Sequence, residues 1–327
     1  MPIKIVFWPP LEAEWMAKVK ALGIDAFAAQ TEEEVLREAG DAVAFCGNPT
    51  PAILSAATQL RWIQAQNIGL DNFFFPELRE SSVTVTNVRG IYSDVIADHV
   101  FALLLSFARG LHHYVRRQQE GRWAKSAEVI HVAGMTLGVI GLGGIGLAVA
   151  ERGRVFRMRI LGLDPAPKDR PDYVEAVYAV DRLHEMLAQV DFLAVCVPHT
   201  SLTAHMIDAA ALKVMKPGAI LINIGRGKVV DLKALTEALE AGALGGAGLD
   251  VFEEEPLPEG HPLWAMENVV ITPHVAGSSP RIIPRRMDLI VENVRRFCEG
   301  EPLLNLVDKE AGYVVEVNPE GDAHIDW

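Results

Sequence analysis

Six residues, Gly141-Leu142-Gly143-Gly144-Ile145-Gly146, constrain this chain more than any others. They fit the spacing G-x-G-x-x-G, which alone recurs by chance wherever a tight turn joins a strand to a helix. Here both flanks agree with it. Leu137-Gly138-Val139-Ile140 reads as a buried strand, and Ile145–Phe156 reads as a helix. Gly141 suits the tight turn, Gly143 lets backbone approach a ligand, and Gly146 lets helix and strand pack closely. Gly144 and Ile145 are placed with them among the cofactor contacts, and the helix N-terminus offers unpaired N–H groups and a partial positive charge to phosphate. Asp164 ends the strand Ile160–Leu163, 18 positions past Gly146 and close to the ~20 expected of a ribose-binding acid. Strand, glycines, helix and acid in register predict a dinucleotide site. The carboxylate favours NAD over NADP, because it would repel a 2′-phosphate. Lys168 and Arg170 lie nearby, and either weaken that preference or belong to a solvated loop.

Around this turn, short apolar runs alternate with helical patterns almost from end to end, which predicts α/β architecture. The 327 residues exceed what one core usually serves, so two domains are expected. Strands are predicted near Ile3–Phe7, Ala42–Cys46, Trp62–Ala65 and Val83–Thr86, with helices near Glu12–Leu22, Glu32–Arg37 and Pro51–Ala57. A long helix is predicted from Ser93 to Glu120, ended by Gly121. It either connects domains or builds a dimer arm, or is an ordinary buried helix. Further strands are Thr136–Ile140, Ile160–Leu163, Phe192–Val197, Ala219–Ile224, Gly246–Leu249 and Val269–Ile271. Helices at Leu183–Ala188, Leu202–Val214 and Leu232–Ala241 intervene. An amphipathic helix, Arg281–Cys298, is placed to return to the first domain, and the polar tail beyond Asp308 is expected to be peripheral.

Bulk properties narrow the partners. A formal net charge of −13 disfavours nucleic acid and anionic membrane, and requires a local cation if the substrate is an anion. No apolar run is long and clean enough to span a bilayer, and Met1–Phe7 reads directly into a strand rather than a signal peptide. Cys46, Cys196 and Cys298 are scattered without a CxxC pair. That argues against disulfides and a structural metal and suits a reducing cytosol.

Three strand ends carry unusual residues. Ala219–Ile224 runs into Gly225-Arg226-Gly227, Gly248–Phe252 runs into Glu253-Glu254-Glu255-Pro256, and Val269–Thr272 runs into Pro273-His274. In a parallel sheet, ligands bind beyond the carboxyl ends of strands. Each residue has a plainer reading, as a surface arginine, an acidic loop or a hydrogen-bonded histidine. Beside a nicotinamide site they make a set suited to reducing a 2-oxo acid. Arg226 offers a permanently charged planar fork to a carboxylate and carbonyl oxygen. An imidazole at His274 exchanges protons near neutrality, and a carboxylate at Glu255 favours its charged form.

At this point the sequence resembles the D-isomer-specific 2-hydroxyacid dehydrogenases, over nearly the whole span from Trp62 to Asp308. The matching stretches are Gly134–Gly146, Met215–Asp231, Gly245–Pro256 and Asn268–Gly277. The resemblance implies two doubly wound parallel-sheet α/β domains. A Rossmann-like nucleotide-binding domain (99–284) would be inserted in a discontinuous flavodoxin-like substrate domain (1–98 with 285–327). It implies catalytic roles for Arg226, Glu255 and His274, and a contact from Asp250 to the nicotinamide carboxamide. Pro198 and Thr203 are placed with Asp250 among the cofactor contacts. Asn67-Ile68-Gly69-Leu70-Asp71-Asn72 resembles the loop whose backbone N–H groups hold the substrate carboxylate, with Asn67 where the family often has Gly. Asp98 stands where Glu is more usual, and Met135 where Lys is usual. Trp8-Pro9-Pro10 and Tyr92-Ser93 either act in substrate choice or serve packing.

The expectation is thus an NAD-dependent enzyme acting on a small 2-oxo or 2-hydroxy acid, without a metal, as a cytosolic homodimer. An extended C-terminal regulatory domain is not seen, which reads against an allosteric phosphoglycerate dehydrogenase. The alternatives are an NAD-sensing interaction protein of the corepressor type and a phosphite dehydrogenase, which keep the same residues.

Overall fold

The computed structural model describes residues 3–70, 73–125, 129–165 and 171–314. The chain divides into two compact units, residues 1–91 with 280–327 and residues 92–279. These divisions fall just ahead of helices Ser93–Ala108 and Ile282–Glu299. Boundaries at 98/99 and 284/285 would cut through helices that their own i to i−4 hydrogen bonds keep whole.

The first unit holds five strands, β1 (Lys4–Trp8), β2 (Asp25–Ala28), β3 (Ala44–Gly47), β4 (Trp62–Gln64) and β5 (Thr84–Thr86). They pair in parallel in the order β2-β1-β3-β4-β5, the flavodoxin-like arrangement. β2 was not anticipated. It lies at the sheet edge, and none of its residues is fully buried, so it carries no apolar run. The short helix Pro76–Glu80 also escaped the sequence pattern.

Helix Ile282–Glu299 belongs to this unit and packs on helix Ala13–Ala21, where Trp15 Nε1 donates to Asp288 at 3.1 Å. Its buried Asn293 donates to Gln64 Oε1 at 2.8 Å and accepts from the Leu304 N–H at 2.8 Å. Gln64 Oε1 also accepts from the Thr86 hydroxyl, which in turn accepts from Trp62 Nε1, both at 2.9 Å. A satisfied buried network of this kind specifies one packing. The tail departs from expectation. Arg89 Nη1 donates to the Val314 carbonyl, Lys309 Nζ donates to the Leu78 carbonyl, and Val314 is buried. Residues 315–327 lie outside the described residues.

The second unit holds β6 (Thr136–Ile140), β7 (Arg159–Leu163), β8 (Val174–Tyr178), β9 (Phe192–Val195), β10 (Ile220–Asn223), β11 (Gly246–Leu249) and β12 (Val269–Ile271). All pair in parallel in the order β12-β11-β10-β9-β6-β7-β8. Leu193, Val195, Leu221 and Ala247 fill one face, and Phe192, Ala194, Ile220 and Ile222 the other. Burial on both faces is why these strands read as unbroken apolar runs. β8, an unanticipated edge strand, is mostly half-exposed. The strand order reverses between β6 and β9, so the glycine turn after β6 sits at the topological switch point.

The long helix is two. Ser93–Ala108 and Leu111–Gln119 meet at 74°, broken by Gly110 in left-handed backbone at φ 63°. The first buries Ala97, Val100, Phe101, Leu104 and Ala108, while the second buries no residue. Likewise the helix expected over Leu202–Val214 is confined to Ala209–Val214. Asp208 caps it, accepting from the Ala211 N–H at 2.8 Å. Among the described residues, no single helix is long and apolar enough to cross a membrane.

Candidate active site

Every predicted site residue of the second unit follows the C-terminal end of one of its strands. Gly141 turns at φ 87°, and a Cβ there would stand 2.6 Å from Val197 Cγ1. Gly146 is tighter still, since its Cβ would lie 1.8 Å from the Gly141 carbonyl oxygen. Gly143 is the N-cap of helix Gly144–Val155, whose first turn has N–H groups without intrahelical partners. A cradle that side chains would fill, opening on a helix N-terminus, fits a pyrophosphate. Asp164 follows β7, and its Oδ2 accepts from the Leu142 N–H at 2.9 Å, so the acid also braces the glycine turn. Beyond β9, the Thr203 hydroxyl donates to the Pro198 carbonyl at 2.7 Å and accepts from the Thr200 N–H at 2.8 Å. Lys168 and Arg170 lie outside the described residues.

β10, β11 and β12 are neighbours, and they deliver Arg226, Glu255 and His274 to that same edge. The Arg226 turn is clamped by Asn223, which was not singled out in the sequence. Buried at the end of β10, Asn223 accepts from the Gly225 N–H and donates to the Arg226 carbonyl, each at 3.1 Å. Gly227 admits no side chain, because its Cβ would meet the Phe252 backbone at 1.8 Å. The half-buried Arg226 donates through Nη1 to the Gly225 carbonyl at 2.8 Å.

His274 Nδ1 and Glu255 Oε2 are 2.7 Å apart. Asp250, 1 % exposed, lies beneath them with its carboxylate inside the fold. Oδ1 accepts from the Thr272 hydroxyl at 2.5 Å and the Val275 N–H at 2.9 Å, and Oδ2 accepts from the Ala276 N–H at 2.9 Å. Thr272 and His99, which touch at 3.0 Å, are further residues that sequence reading missed. Tyr92 lies against Gly277, whose Cβ would stand 3.0 Å from Tyr92 Cδ1. Ser93 Oγ would stand 2.8 Å from a Cβ at Gly144. Asp98 pairs with Arg152 at 2.8 Å, an exposed bridge between two helices, and Met135 packs against the core.

In the other unit, Asn67, Ile68 and Gly69 form the loop after β4, and Asn87 Nδ2 donates to the Ile68 carbonyl at 3.2 Å. Asn67 does not take left-handed backbone, so asparagine in place of glycine strains nothing there. Asp71 and Asn72 lie outside the described residues. Gln66 Nε2 donates to the Pro9 carbonyl at 3.2 Å, tying Trp8-Pro9-Pro10 to the same loop. Among the described residues, no group of three or more histidines, cysteines or acids is placed to hold a metal.

A dinucleotide turn that shares its sheet edge with an imidazole–carboxylate pair fits a nicotinamide-dependent dehydrogenase. The model of the D-isomer specific 2-hydroxyacid dehydrogenase NAD-binding domain matches residues 101–276. A glyoxylate reductase of Korarchaeum cryptofilum is 40% identical over 274 residues, covering 82% of this chain and 81% of its own. A solved D-isomer specific 2-hydroxyacid dehydrogenase from Xanthobacter autotrophicus, in complex with NADPH and MES, superposes with a TM-score of 0.82. It is 31% identical, over 96% of this chain and 100% of that one. An NADPH-dependent glyoxylate/hydroxypyruvate reductase from Sinorhizobium meliloti, bound to NADP and sulfate, gives 0.81 at 26% identity, over 95% and 100%. The chain belongs to the D-isomer specific 2-hydroxyacid dehydrogenase family. It is an oxidoreductase that reduces small 2-oxo acids to 2-hydroxy acids with a nicotinamide cofactor.

Proposed function

We propose that the chain uses NADH to reduce glyoxylate to glycolate, or a near relative such as hydroxypyruvate to its D-2-hydroxy acid. The contact that carries this reading is the 2.7 Å approach of Glu255 Oε2 to His274 Nδ1. A carboxylate can only accept, so Nδ1 carries the proton of that bond and Nε2 is the nitrogen for the substrate. In reduction, imidazolium at His274 gives its Nε2 proton to the oxygen that was the C2 carbonyl, while Glu255 offsets the positive charge. In oxidation, neutral His274 takes the proton back. Arg226 is assigned the substrate carboxylate and carbonyl oxygen, the local cation that an anionic substrate needs on a chain of net charge −13. Backbone N–H groups of Asn67, Ile68 and Gly69 are assigned a further carboxylate contact. The bound nicotinamide supplies the hydride.

Asp164 supports NADH over NADPH, since its carboxylate would repel a 2′-phosphate. Names among the relatives support the substrate class, glyoxylate for the K. cryptofilum protein and glyoxylate or hydroxypyruvate for that of S. meliloti. A cytosolic homodimer is part of the proposal. The dimer is supported by helix Leu111–Gln119, which has no fully buried residue, and by Trp123, 98% exposed.

The test is oxidation of NADH and NADPH against glyoxylate, hydroxypyruvate, pyruvate and bulkier 2-oxo acids, with phosphite and NAD in the opposite direction. Glyoxylate or hydroxypyruvate with NADH is expected to give the highest kcat/KM. NADH binding without turnover of any acid would favour a sensor, and phosphite turnover would replace the substrate class.

A further inference from the structure

We propose that His99, Thr272 and Asp250 form a relay that sets the position of the His274 imidazole, making Thr272 and His99 positioning residues for proton transfer. The inference rests on the proposed role of His274 and adds the residues that hold it in place.

His274 takes left-handed backbone at φ 53°, a conformation that residues other than glycine adopt only when their surroundings impose it. Asp250 is what imposes it. Its carbonyl accepts from the His274 N–H at 2.9 Å, and its two carboxylate oxygens accept from the Val275 and Ala276 N–H groups, also at 2.9 Å. Three successive backbone donors therefore converge on one buried residue.

A carboxylate with 1 % exposure needs a full set of donors, and Thr272 supplies another at 2.5 Å. The direction of each bond is forced. The carboxylate accepts, so the single hydroxyl proton of Thr272 points at Asp250. The Thr272 oxygen must then accept from His99, whose Nε2 carries a proton and lies 3.0 Å away. The same Nε2 is 3.7 Å from Asp250 Oδ1. His99 belongs to helix Ser93–Ala108, so the order of the His274 turn is set from a helix far away in sequence. On this reading the Asp250 carboxylate serves the backbone of residues 274–276, whatever it also offers a carboxamide.

The test is a double-mutant cycle between Thr272→Val and His274→Ala in the full chain, run with the 2-oxo acid turned over fastest. Thr272→Val alone is expected to lower kcat about 10- to 100-fold, the scale of a misplacement near 1 Å. NADH affinity stays unchanged, and Thr272→Ser restores the rate. In the His274→Ala background, Thr272→Val is expected to have no further effect. Wild-type kcat in Thr272→Val overturns the relay. So does a loss that multiplies with that of His274→Ala, because the hydroxyl would then act elsewhere, for example through cofactor contact. Wild-type turnover in His274→Ala overturns the assignment of His274 instead. Should Thr272→Val not fold, His99→Phe, which deletes only the outermost donor, takes its place in the cycle with the same two readings.

Discussion

Glu255 reaches His274 and its own strand end at once. One carboxylate oxygen lies 2.7 Å from the imidazole Nδ1, and the other accepts from the Phe252 N–H at 3.0 Å. Glu255→Gln keeps the shape but cannot offset an imidazolium charge, and is expected to lower kcat about 100-fold. His274→Ala is expected to cost ~10²–10⁴ with NADH still bound, the range for loss of a general acid. Steady-state kinetics with separate NADH titrations check both. A glutamine variant with wild-type kcat would remove Glu255 from proton transfer.

Arg226→Lys keeps the charge and loses the planar fork. With the turn still held by Asn223, kcat/KM for the 2-oxo acid should fall about 100-fold, ~2.7 kcal/mol of transition-state binding. A change confined to NADH affinity would place Arg226 on the cofactor instead.

Asp164 accepts from the Leu142 N–H and is proposed to discriminate between the nucleotides, and substitution separates the two. Asp164→Asn keeps an acceptor for the Leu142 N–H and removes the charge, so the preference for NADH over NADPH should relax while NADH still binds. Asp164→Ala loses both and should weaken both cofactors. Titration of each variant with the two nucleotides decides, and an unchanged ratio in the asparagine variant ends the ribose assignment.

Gly146→Ala would drive a methyl group against the Gly141 carbonyl, where a Cβ stands at 1.8 Å. Backbone cannot yield cheaply there, so the variant should lose about 1–3 kcal/mol of stability or more. NADH binding should fail with it. Thermal unfolding with and without NADH checks this, and a wild-type ligand-induced shift would contradict it.

Burial pushes the Cys46 thiol up to about 12, with the Gln66 amide pulling weakly the other way. At pH 8 it is protonated as well as covered, and alkylation needs the thiolate. Iodoacetamide is therefore expected to spare Cys46 in the native protein and label it in urea, as read by peptide mass spectrometry.

Much of the candidate site was legible because its signals are local. The turn Gly141–Gly146, the acid at Asp164 and the strand ends at Arg226, Glu255 and His274 each announce themselves within a few residues. Asn223, Thr272 and His99 did not. A buried asparagine after a strand reads like any turn residue, and His99 meets its partner across 173 positions of chain. β2 and β8 were missed for a different reason, since edge strands half-open to water lack the apolar run that marks a strand. The break at Gly110 was present as a glycine. The helical spacing of Val95 to Phe107 was carried past it to Gly121, because periodicity does not register a single left-handed residue.

The placement of Asn293 has a consequence for synthesis on the ribosome. The N-terminal sheet emerges first, yet Gln64 waits for Asn293 and the β5 residue Val85 waits for Val307, whose N–H it accepts at 2.9 Å. Residues 92–279 are contiguous and can complete their contacts in between. The earliest-made residues are thus the last to be closed, and a nascent chain stalled before Asn293 would hold one sheet unfinished and the other complete.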